Sequence, residues 1–409
     1  MQRLVAHAYA TVPYYRDVFD ARGLKPTDIR QCADLAKLPL LTRTDVRRHF
    51  DALRSRAFDV RALRLGHTSG TTGSPLEVYY DAGVIHMTYA LMDRQYRWAG
   101  ARLARGGDRI AVLRGNVVVP VGQRKPPFWR HNRYHRQLLL SSFHLSPANL
   151  PLYVQELERF APAVVDGYPS TCYVLARHLL AAGRTLPVRA VITSSETLYD
   201  FQREAIERAF ACKVFDYYAA AERVLFTTEC ERHEGHHVSS EYGVLEVIDA
   251  RGAPVAAGQT GTLVATSLHN FGMPLLRYVT SDVSGLKSRP CSCGRTLPLM
   301  EDVSTKAEDI LALADGRMIS PSVLTHPFKP MHSVEQSQIV QQDYDHVVIR
   351  LVPNAAYRSS EGDYLVREFQ ARLGANVRVE VQVVDELERT KAGKFKWVIS
   401  KVDKGIRVP

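Results

Sequence analysis

The sequence lacks any hydrophobic run that approaches the ~20 apolar residues a helix needs to cross a bilayer. Its opening, MQRLVAHAYATVPYYRDVF, also lacks the charged-then-apolar layout of a signal peptide. We therefore expect a cytoplasmic protein with no membrane partner. No internal repeat or low-complexity segment interrupts the 409 residues, and this length predicts two unequal domains.

Acidic residues are outnumbered, since 53 Lys and Arg against 43 Asp and Glu give a net charge of +10. The basic residues do not form one block and have a single local concentration, Arg124, Lys125, Arg130, Arg133 and Arg136. No basic helix with interleaved aromatic residues is present, so a nucleic-acid partner is not expected. A solvated basic face and an attraction for nucleotides and phosphorylated substrates both remain open.

The hydrophobic pattern changes along the chain. Leu4, Val5 and Ala8 recur at helical spacing, and Pro13 closes that segment. From about residue 63, short apolar stretches such as RIAVLRG and RAVITSSE alternate with helical ones, which predicts an α/β layer with a largely parallel sheet. Residues 243–287 favour a small antiparallel or barrel-like subdomain. After about residue 306, HVVIRLVP and NVRVEVQVV surround a helical segment, as in a small α+β domain.

The stretch HTSGTTGSP at 67–75 is rich in hydroxyl groups and glycine. Glycines let the backbone approach a polyanion closely, and amides and hydroxyls can bind its oxygens. The lysine of a P-loop is missing, because Ser74 follows Gly73. Composition alone leaves a phosphate-binding loop and a flexible turn without a ligand equally open.

Several stretches together resemble the adenylate-forming superfamily of acyl-CoA synthetases, luciferase and nonribosomal adenylation domains. SGTTGSP resembles its phosphate-binding loop, and the further matching stretches follow in the expected order: VFDYYAAAER, RYVTSDV and ERTKAGKFKWV. VPYYR, FWRHN, DGYPST and CSCGR resemble the phenylacetate-CoA ligase-like branch, especially its capsular-polysaccharide-biosynthesis type. The resemblance covers essentially the whole chain.

This resemblance implies an α/β fold with two domains. A large N-terminal adenylate-forming domain with mixed sheets would span 1–305 and include a β-rich subdomain at about 238–303. A small, mobile α+β domain that carries the catalytic lysine would span 306–409, with a hinge near Lys306 to Glu308.

The resemblance also implies the role of individual residues. Tyr218 would lie against the adenine, Asp282 would accept hydrogen bonds from the ribose hydroxyls, and Glu222 would help to hold Mg²⁺. Arg277 would pair with phosphate or support Asp282. Lys394 would stabilise charge between the carboxylate and the α-phosphate, with a solvated lysine as the alternative. The remaining ATP-binding candidates are Thr68, Ser69, Gly70, Thr71, Thr72, Gly73, Ser195, Glu196, Asp216 and Tyr217.

Some positions depart from the family pattern. Ala219 stands where glycine is usual, and Ala221 replaces a Thr or Ser whose hydroxyl would contact the α-phosphate. Ser281 replaces another glycine, and VSTKAED replaces a Gly-Arg-x-Asp-Asp pattern. Each departure can be tolerated alone, and together they leave weakened adenylation or a specialised enzyme open as an alternative.

Cysteine and histidine cluster in two places. Of six cysteines, Cys291 and Cys293 flank one residue in a turn, and Cys230 begins CERHEGHHV. Four Cys and His ligands suit tetrahedral zinc, so we expect a structural zinc site with His237 as fourth ligand, ahead of His233 and His236. Reduced turn cysteines beside surface histidines are the alternative.

The function expected is AMP-forming activation of a carboxylic acid with ATP and Mg²⁺, followed by transfer to CoA. Transfer to an amine, as in polysaccharide or natural-product biosynthesis, and an inactive relative acting as a binding protein remain alternatives. The partners expected are a small carboxylic acid and a thiol or amine acceptor, and a homodimer is compatible with the sequence.

Overall fold

A computed structural model describes residues 1–67, 76–103, 106–249, 251–303, 311–315, 317–319, 324–328, 330–331, 333–387 and 397–402. These residues form two compact units. The first unit comprises 1–67, 76–98 and 217–303, and the second comprises the described residues between 99 and 216 and between 311 and 402.

The helices begin and end where local chemistry predicts. The second helix begins at Pro13. In the first turn of a helix the backbone N–H groups have no partner within the helix, so proline removes no hydrogen bond there. Thr42 caps the third helix, since its hydroxyl accepts a 3.2 Å hydrogen bond from the Asp45 amide. Within the described residues, the α-helices are α1 (Gln2–Thr11), α2 (Pro13–Ala21), α3 (Arg43–Arg48), α4 (Phe50–Leu53), α5 (Ala82–Trp98), α6 (Leu150–Phe160), α7 (Pro169–Ala181), α8 (Asp200–Phe210) and α9 (Ser359–Leu373).

The strands are numbered in the same way along the chain. In the first half they are β1 (Arg64–His67), β2 (Glu77–Tyr80), β3 (Ile110–Leu113), β4 (Trp129–Asn132), β5 (Gln137–Leu140), β6 (Val164–Gly167), β7 (Ala190–Ser194) and β8 (Lys213–Ala219). Next come β9 (Phe226–Glu229), β10 (His236–Val238), β11 (Gly243–Ile248), β12 (Thr260–Ser267), β13 (Tyr278–Gly285) and β14 (Leu299–Met300). The last are β15 (Leu311–Ala312), β16 (Met318–Ile319), β17 (Val334–Asp343), β18 (His346–Pro353), β19 (Arg378–Val383) and β20 (Val398–Ser400).

The second unit contains a sheet in the order β7-β6-β3-β5-β4. Its neighbours pair in parallel except for β4, which runs antiparallel to β5. β6 and β7 are buried along their whole length, as expected for parallel strands covered on both faces. Residues that follow β3, β6 and β7 therefore meet at one edge of this sheet, and residues that precede them meet at the other.

The C-terminal part of the second unit forms a smaller sheet in the order β19-β18-β17-β20, with α9 packed on it. The two predicted strands around a helix are confirmed here. Its core contains Phe328, Phe369 and Trp397, and the Trp397 indole donates a 3.0 Å hydrogen bond to the Ser337 hydroxyl.

The first unit contains the predicted antiparallel subdomain, a sheet in the order β11-β12-β13. A second set of antiparallel strands has the order β14-β10-β9-β8. The predicted mixed α/β fold is thus confirmed. Among the described residues no helix has the length and apolar character needed to span a membrane.

Candidate active site and metal centre

Tyr218 on β8 and Asp282 on β13 form a direct pair in the first unit. The Tyr218 hydroxyl donates a 2.7 Å hydrogen bond to Asp282 Oδ2. The Asp282 amide donates to Thr280 Oγ1 at 3.2 Å, which fixes the backbone below the carboxylate. Burial, with the charge of Asp282, raises the pKa of Tyr218 well above its usual value. The phenol therefore remains a donor, and the carboxylate is held as an oriented acceptor.

Glu222 is a buried carboxylate in the same unit. The Tyr278 hydroxyl donates a 2.8 Å hydrogen bond to Glu222 Oε1, and the Arg43 guanidinium lies 3.9 Å from the same oxygen. Burial, with the charge of Glu222, raises the pKa of Tyr278 well above its usual value. Carboxylate oxygens are the ligands that Mg²⁺ prefers, so the donor type fits the predicted role. The sequence did not single out Tyr278 or Arg43 as partners of this carboxylate.

The strands on either side of the predicted phosphate-binding loop form a hairpin. β1 pairs antiparallel with β2, with His67 opposite Glu77. The Tyr80 hydroxyl at the end of β2 donates a 2.7 Å hydrogen bond to the Ala221 carbonyl, next to Glu222. The loop residues Thr68, Ser69, Gly70, Thr71, Thr72 and Gly73 themselves lie outside the described residues, as do Lys394 and the hinge positions 306–308.

Arg277 is buried and held by structural partners. Its guanidinium donates to both carboxylate oxygens of Glu246, at 2.9–3.1 Å, and to the Leu38 carbonyl at 2.7 Å. These contacts tie β13 to β11 and to the segment before α3. They favour a supporting role over a phosphate contact.

Ser195 and Glu196 follow β7 at the carboxyl edge of the second unit's sheet. Ser195 has a φ of 70° and an exposed side chain, an unusual conformation for a residue other than glycine. The Glu196 carboxylate accepts a 3.1 Å hydrogen bond from the Ser170 amide at the start of α7. Ligands of parallel α/β sheets bind at this edge, which suits the predicted role of both residues.

Arg114 and Asp166, which the sequence did not single out, also lie at this edge. Arg114 follows β3. Its guanidinium donates hydrogen bonds to the Asp166 carboxylate on β6 at 2.9 Å and to the Ser194 hydroxyl at 3.0 Å. Asp216, a predicted ATP-binding residue on β8, accepts a 2.5 Å hydrogen bond from the Thr193 hydroxyl. An isolated arginine and aspartate, far apart in sequence, gave no signal that could have paired them.

Cys230, His237, Cys291 and Cys293 converge in the first unit, and their ligand atoms all lie within 4.8 Å of one another. Cys230 Sγ and Cys291 Sγ are 3.6 Å apart, and Cys293 Sγ lies 3.5 Å from His237 Nε2. Burial raises the pKa of Cys230 to about 12. The pKa of Cys293 is lowered. Burial by itself would raise it, but hydrogen bonds with Arg295 and with the other two thiols have the larger combined effect.

Successive side chains of β10 point to opposite faces of the sheet, so the neighbouring candidates His236 and His237 lie on different faces. His237 points toward the cysteines, whereas its neighbour His236 faces Asp302 at 3.3 Å and shares the face of Glu229. His233 lies 3.4 Å from Glu229.

Aromatic and cationic groups cover the cysteine cluster. The Trp98 ring meets His237 edge-on at 5.4 Å, and the Arg295 guanidinium lies 4.3 Å above the Trp98 ring. Burial, with the charge of Arg295, lowers the pKa of His237, which favours the neutral imidazole that binds metals.

Comparisons with known proteins bear on both units. Residues 311–401 match the CapK C-terminal domain family. The chain is 27% identical to protein CapK of Staphylococcus aureus over 395 residues, which covers 95% of this chain and 85% of CapK. It is 28% identical to a phenylacetate-coenzyme A ligase of Thermus thermophilus over 335 residues, which covers 76% of this chain and 70% of the ligase.

Among solved structures, the chain resembles a 2-hydroxyisobutyryl-CoA ligase in complex with 2-HIB-AMP and CoA. The TM-score is 0.62 at 21% identity, covering 98% of this chain and 87% of that ligase. The chain therefore has the fold of the adenylate-forming acyl-CoA ligases. Its homologues include protein CapK and phenylacetate-CoA ligases, and the resemblance stated from the sequence is confirmed.

Proposed function

We propose that this chain is an AMP-forming ligase that activates a carboxylic acid with ATP and transfers the acyl group to CoA. The observation that carries the proposal is the pair of tyrosine-held carboxylates, Asp282 and Glu222, in motifs that match those of the superfamily. In a relative that had lost its activity, we would not expect two carboxylates to remain oriented by buried hydrogen bonds. The similarity to phenylacetate-coenzyme A ligases supports the same activity.

The proposed reaction has two steps. In the first, a carboxylate oxygen attacks the α-phosphorus of ATP, the bond to the β-phosphate breaks, and pyrophosphate leaves. In the second, the CoA thiolate attacks the acyl carbonyl, and AMP leaves with the electron pair of the broken C–O bond. Both steps bring anions together, so the protein contributes mainly positioning and charge neutralisation.

Each candidate residue has a specific part in this proposal. Asp282 would accept the ribose hydroxyls, Tyr218 would lie against the adenine while orienting Asp282, and Glu222 would help to hold Mg²⁺. Mg²⁺, when bound, neutralises charge on phosphate oxygens. Lys394 would stabilise the charge that develops at the α-phosphate. The loop from Thr68 to Gly73 would bind the β- and γ-phosphates, and Ser195, Glu196 and Asp216 would border the nucleotide.

The domain division is part of the proposal. Residues 306–409 would act as a mobile catalytic domain on the body formed by 1–305. ATP and CoA are both available in the cytoplasm, where we place the protein.

We also propose that Cys230, His237, Cys291 and Cys293 hold a structural zinc ion. A tetrahedral zinc with Zn–S bonds of about 2.3 Å sets two thiolates about 3.8 Å apart, and a thiolate and imidazole nitrogen about 3.5 Å apart. The separations of 3.6 Å and 3.5 Å fit these values. Four protein ligands fill the coordination shell, so the ion would contribute stability and not catalysis.

The test is pyrophosphate release with ATP, Mg²⁺ and a panel of aryl, fatty and hydroxy acids, each with and without CoA. Release that CoA stimulates for one acid class is the expected result. If an amine, and not CoA, stimulates pyrophosphate release, the acceptor is an amine and not CoA. If no acid gives pyrophosphate release, the proposal is overturned.

A further inference from the structure

A cleft of about 320 Å³ lies in the second unit, at the low end of the ~300–1,000 Å³ usual for small-molecule sites. Its lining includes four arginines, Arg102, Arg109, Arg136 and Arg189, and one acidic residue, Asp108. Four positive charges face one negative charge, so the lining carries an excess of three. A cleft of this size and charge is suited to an anion.

The arginines are set in a row by the sheet itself. Arg136, Arg109 and Arg189 each stand immediately before a strand, β5, β3 and β7 respectively. Sheet-type hydrogen bonds continue through these positions: the Ile110 amide donates to the Arg136 carbonyl at 3.1 Å, and the Ala163 amide donates to the Arg109 carbonyl at 2.8 Å. The Arg189 amide completes the row by donating to the Ala163 carbonyl at 2.8 Å. Backbone pairing thus fixes the Cα positions of a cationic row.

Only part of this positive charge is neutralised within the protein. Arg189 pairs with Asp108 at 2.9 Å, and the Arg102 amide donates to the same carboxylate at 2.9 Å. The Arg136 guanidinium donates to the Gly107 carbonyl at 2.8 Å, which orients it without cancelling its charge. Among the residues that the structure describes, the other three arginines have no carboxylate partner.

The cleft is separate from the candidate active-site residues of this unit. Arg109 precedes β3 and Arg114 follows it, so a rise of ~3.3 Å per residue puts them roughly 16 Å apart. The arginine row lies at the amino edge of the parallel strands, whereas Ser195, Glu196 and Arg114 lie at the carboxyl edge. The cleft therefore is not an extension of the proposed nucleotide site.

From this arrangement we infer that the amino-edge cleft binds a small ligand bearing a diphosphate or two neighbouring phosphate groups. Guanidinium groups bind phosphate through paired N–H donors, and two phosphates supply the negative charge that the lining lacks. A single carboxylate would leave most of this excess unmatched. The basic concentration noted in the sequence ends at Arg136, which contributes to this row.

Inorganic pyrophosphate is the probe for this site, measured by calorimetry on the full chain. The same titration is repeated in a Thr71→Ala/Thr72→Ala background, which removes two proposed phosphate ligands of the nucleotide site without adding a polyphosphate that could compete for the cleft. Arg109→Ala/Arg136→Ala should raise the Kd for pyrophosphate about ten-fold or more, since charge-assisted hydrogen bonds are lost. Arg208→Ala, which removes an exposed arginine of α8 outside the cleft, should leave the Kd unchanged.

A second double variant keeps the test informative if the alanine variant does not fold. Arg109→Lys/Arg136→Lys keeps both charges but not the paired donors, and should bind with an affinity between those of wild type and the alanine variant. Added KCl should weaken wild-type binding, because screening reduces the attraction between exposed charges. The inference is overturned if wild type does not bind pyrophosphate under these conditions, or if a folded alanine variant binds it as tightly as wild type.

Discussion

The hydroxyl of Tyr218 holds the carboxylate of Asp282 through a 2.7 Å hydrogen bond that joins β8 to β13. The two residues are 64 positions apart in the sequence. Because burial raises the pKa of Tyr218, the phenol stays protonated throughout the physiological range and always acts as the donor. A ligand that uses Asp282 as an acceptor would thus meet a carboxylate whose direction is already fixed.

Tyr218→Phe should test this arrangement, because it keeps the ring and removes only the hydroxyl. We expect kcat/KM for ATP to fall about ten-fold or more, as for loss of a hydrogen bond to a charged group. Tyr9→Phe is a matched control, since the Tyr9 hydroxyl makes an exposed 3.0 Å bond to Asp20. Equal kinetics for Tyr218→Phe and Tyr9→Phe would remove the role assigned to Tyr218.

Glu222→Gln should raise the Mg²⁺ concentration needed for half-maximal pyrophosphate release, since the amide keeps the shape but loses the charge. We expect a rate loss of about 10²-fold at low Mg²⁺, with partial recovery at high Mg²⁺. Glu241→Gln, at an exposed carboxylate of the same unit, is the control. An unchanged Mg²⁺ dependence in Glu222→Gln would argue that Glu222 is purely structural.

Lys394→Ala should reduce adenylate formation by about 10²–10³-fold while leaving ATP binding largely intact. A transition-state contact affects kcat, whereas a binding contact affects KM. Pyrophosphate release and equilibrium ATP binding should be measured side by side, with Lys391→Ala as a neighbouring control. Pyrophosphate release at the wild-type rate by Lys394→Ala would show that Lys394 is not the catalytic lysine.

The purified protein should contain about one zinc ion per chain by elemental analysis, as expected for a four-ligand structural site. Cys291→Ser should lose the metal and lower the Tm by several degrees, because metal binding stabilises the folded state. Cys32→Ser, at an exposed cysteine away from the cluster, should change neither quantity. A metal-free wild type that is as stable as the zinc-loaded protein would contradict the site.

A buried histidine should contribute to the loss of stability in mild acid. Burial, helped by the Arg317 guanidinium, lowers the pKa of His144 below its usual value. A lowered native pKa means that its contribution is complete above about pH 6.5 and is lost as the pH falls. His144→Gln should therefore narrow the difference in Tm between pH 7.5 and pH 5.5, by about 1–3 °C.

The control for that comparison is His135→Gln, which changes an exposed histidine of the same unit. Its Tm difference between the two pH values should match that of the wild type. If His144→Gln also keeps the wild-type difference, the acid sensitivity arises from other groups.

Much of the fold could be predicted because its signals are local. The Thr42 cap, the helix break at Pro13 and the strands around α9 depend on residues a few positions apart. The antiparallel strands β11, β12 and β13 lie within residues 243–287, where the sequence favoured antiparallel structure. By contrast, the Tyr278 and Arg43 contacts to Glu222 could not be read from spacing, since they join residues 56 and 179 positions from it.

The amino-acid sequence was enough to indicate which chemical groups are available: hydroxyl and glycine for phosphate, carboxylates for ribose and Mg²⁺, and thiols with imidazole for zinc. Ordered motifs were enough to indicate the superfamily, because each keeps its residues within a short segment. Only the tertiary structure decided how these groups combine. The sequence had ranked His237 first among three candidate histidines, but only the fold brought it together with cysteines from two distant segments. Parallel pairing likewise brought arginines that precede separate strands to one edge of a sheet. Such choices depend on strand register and crossover connections, which arise from packing of the whole chain and leave no local signal in sequence.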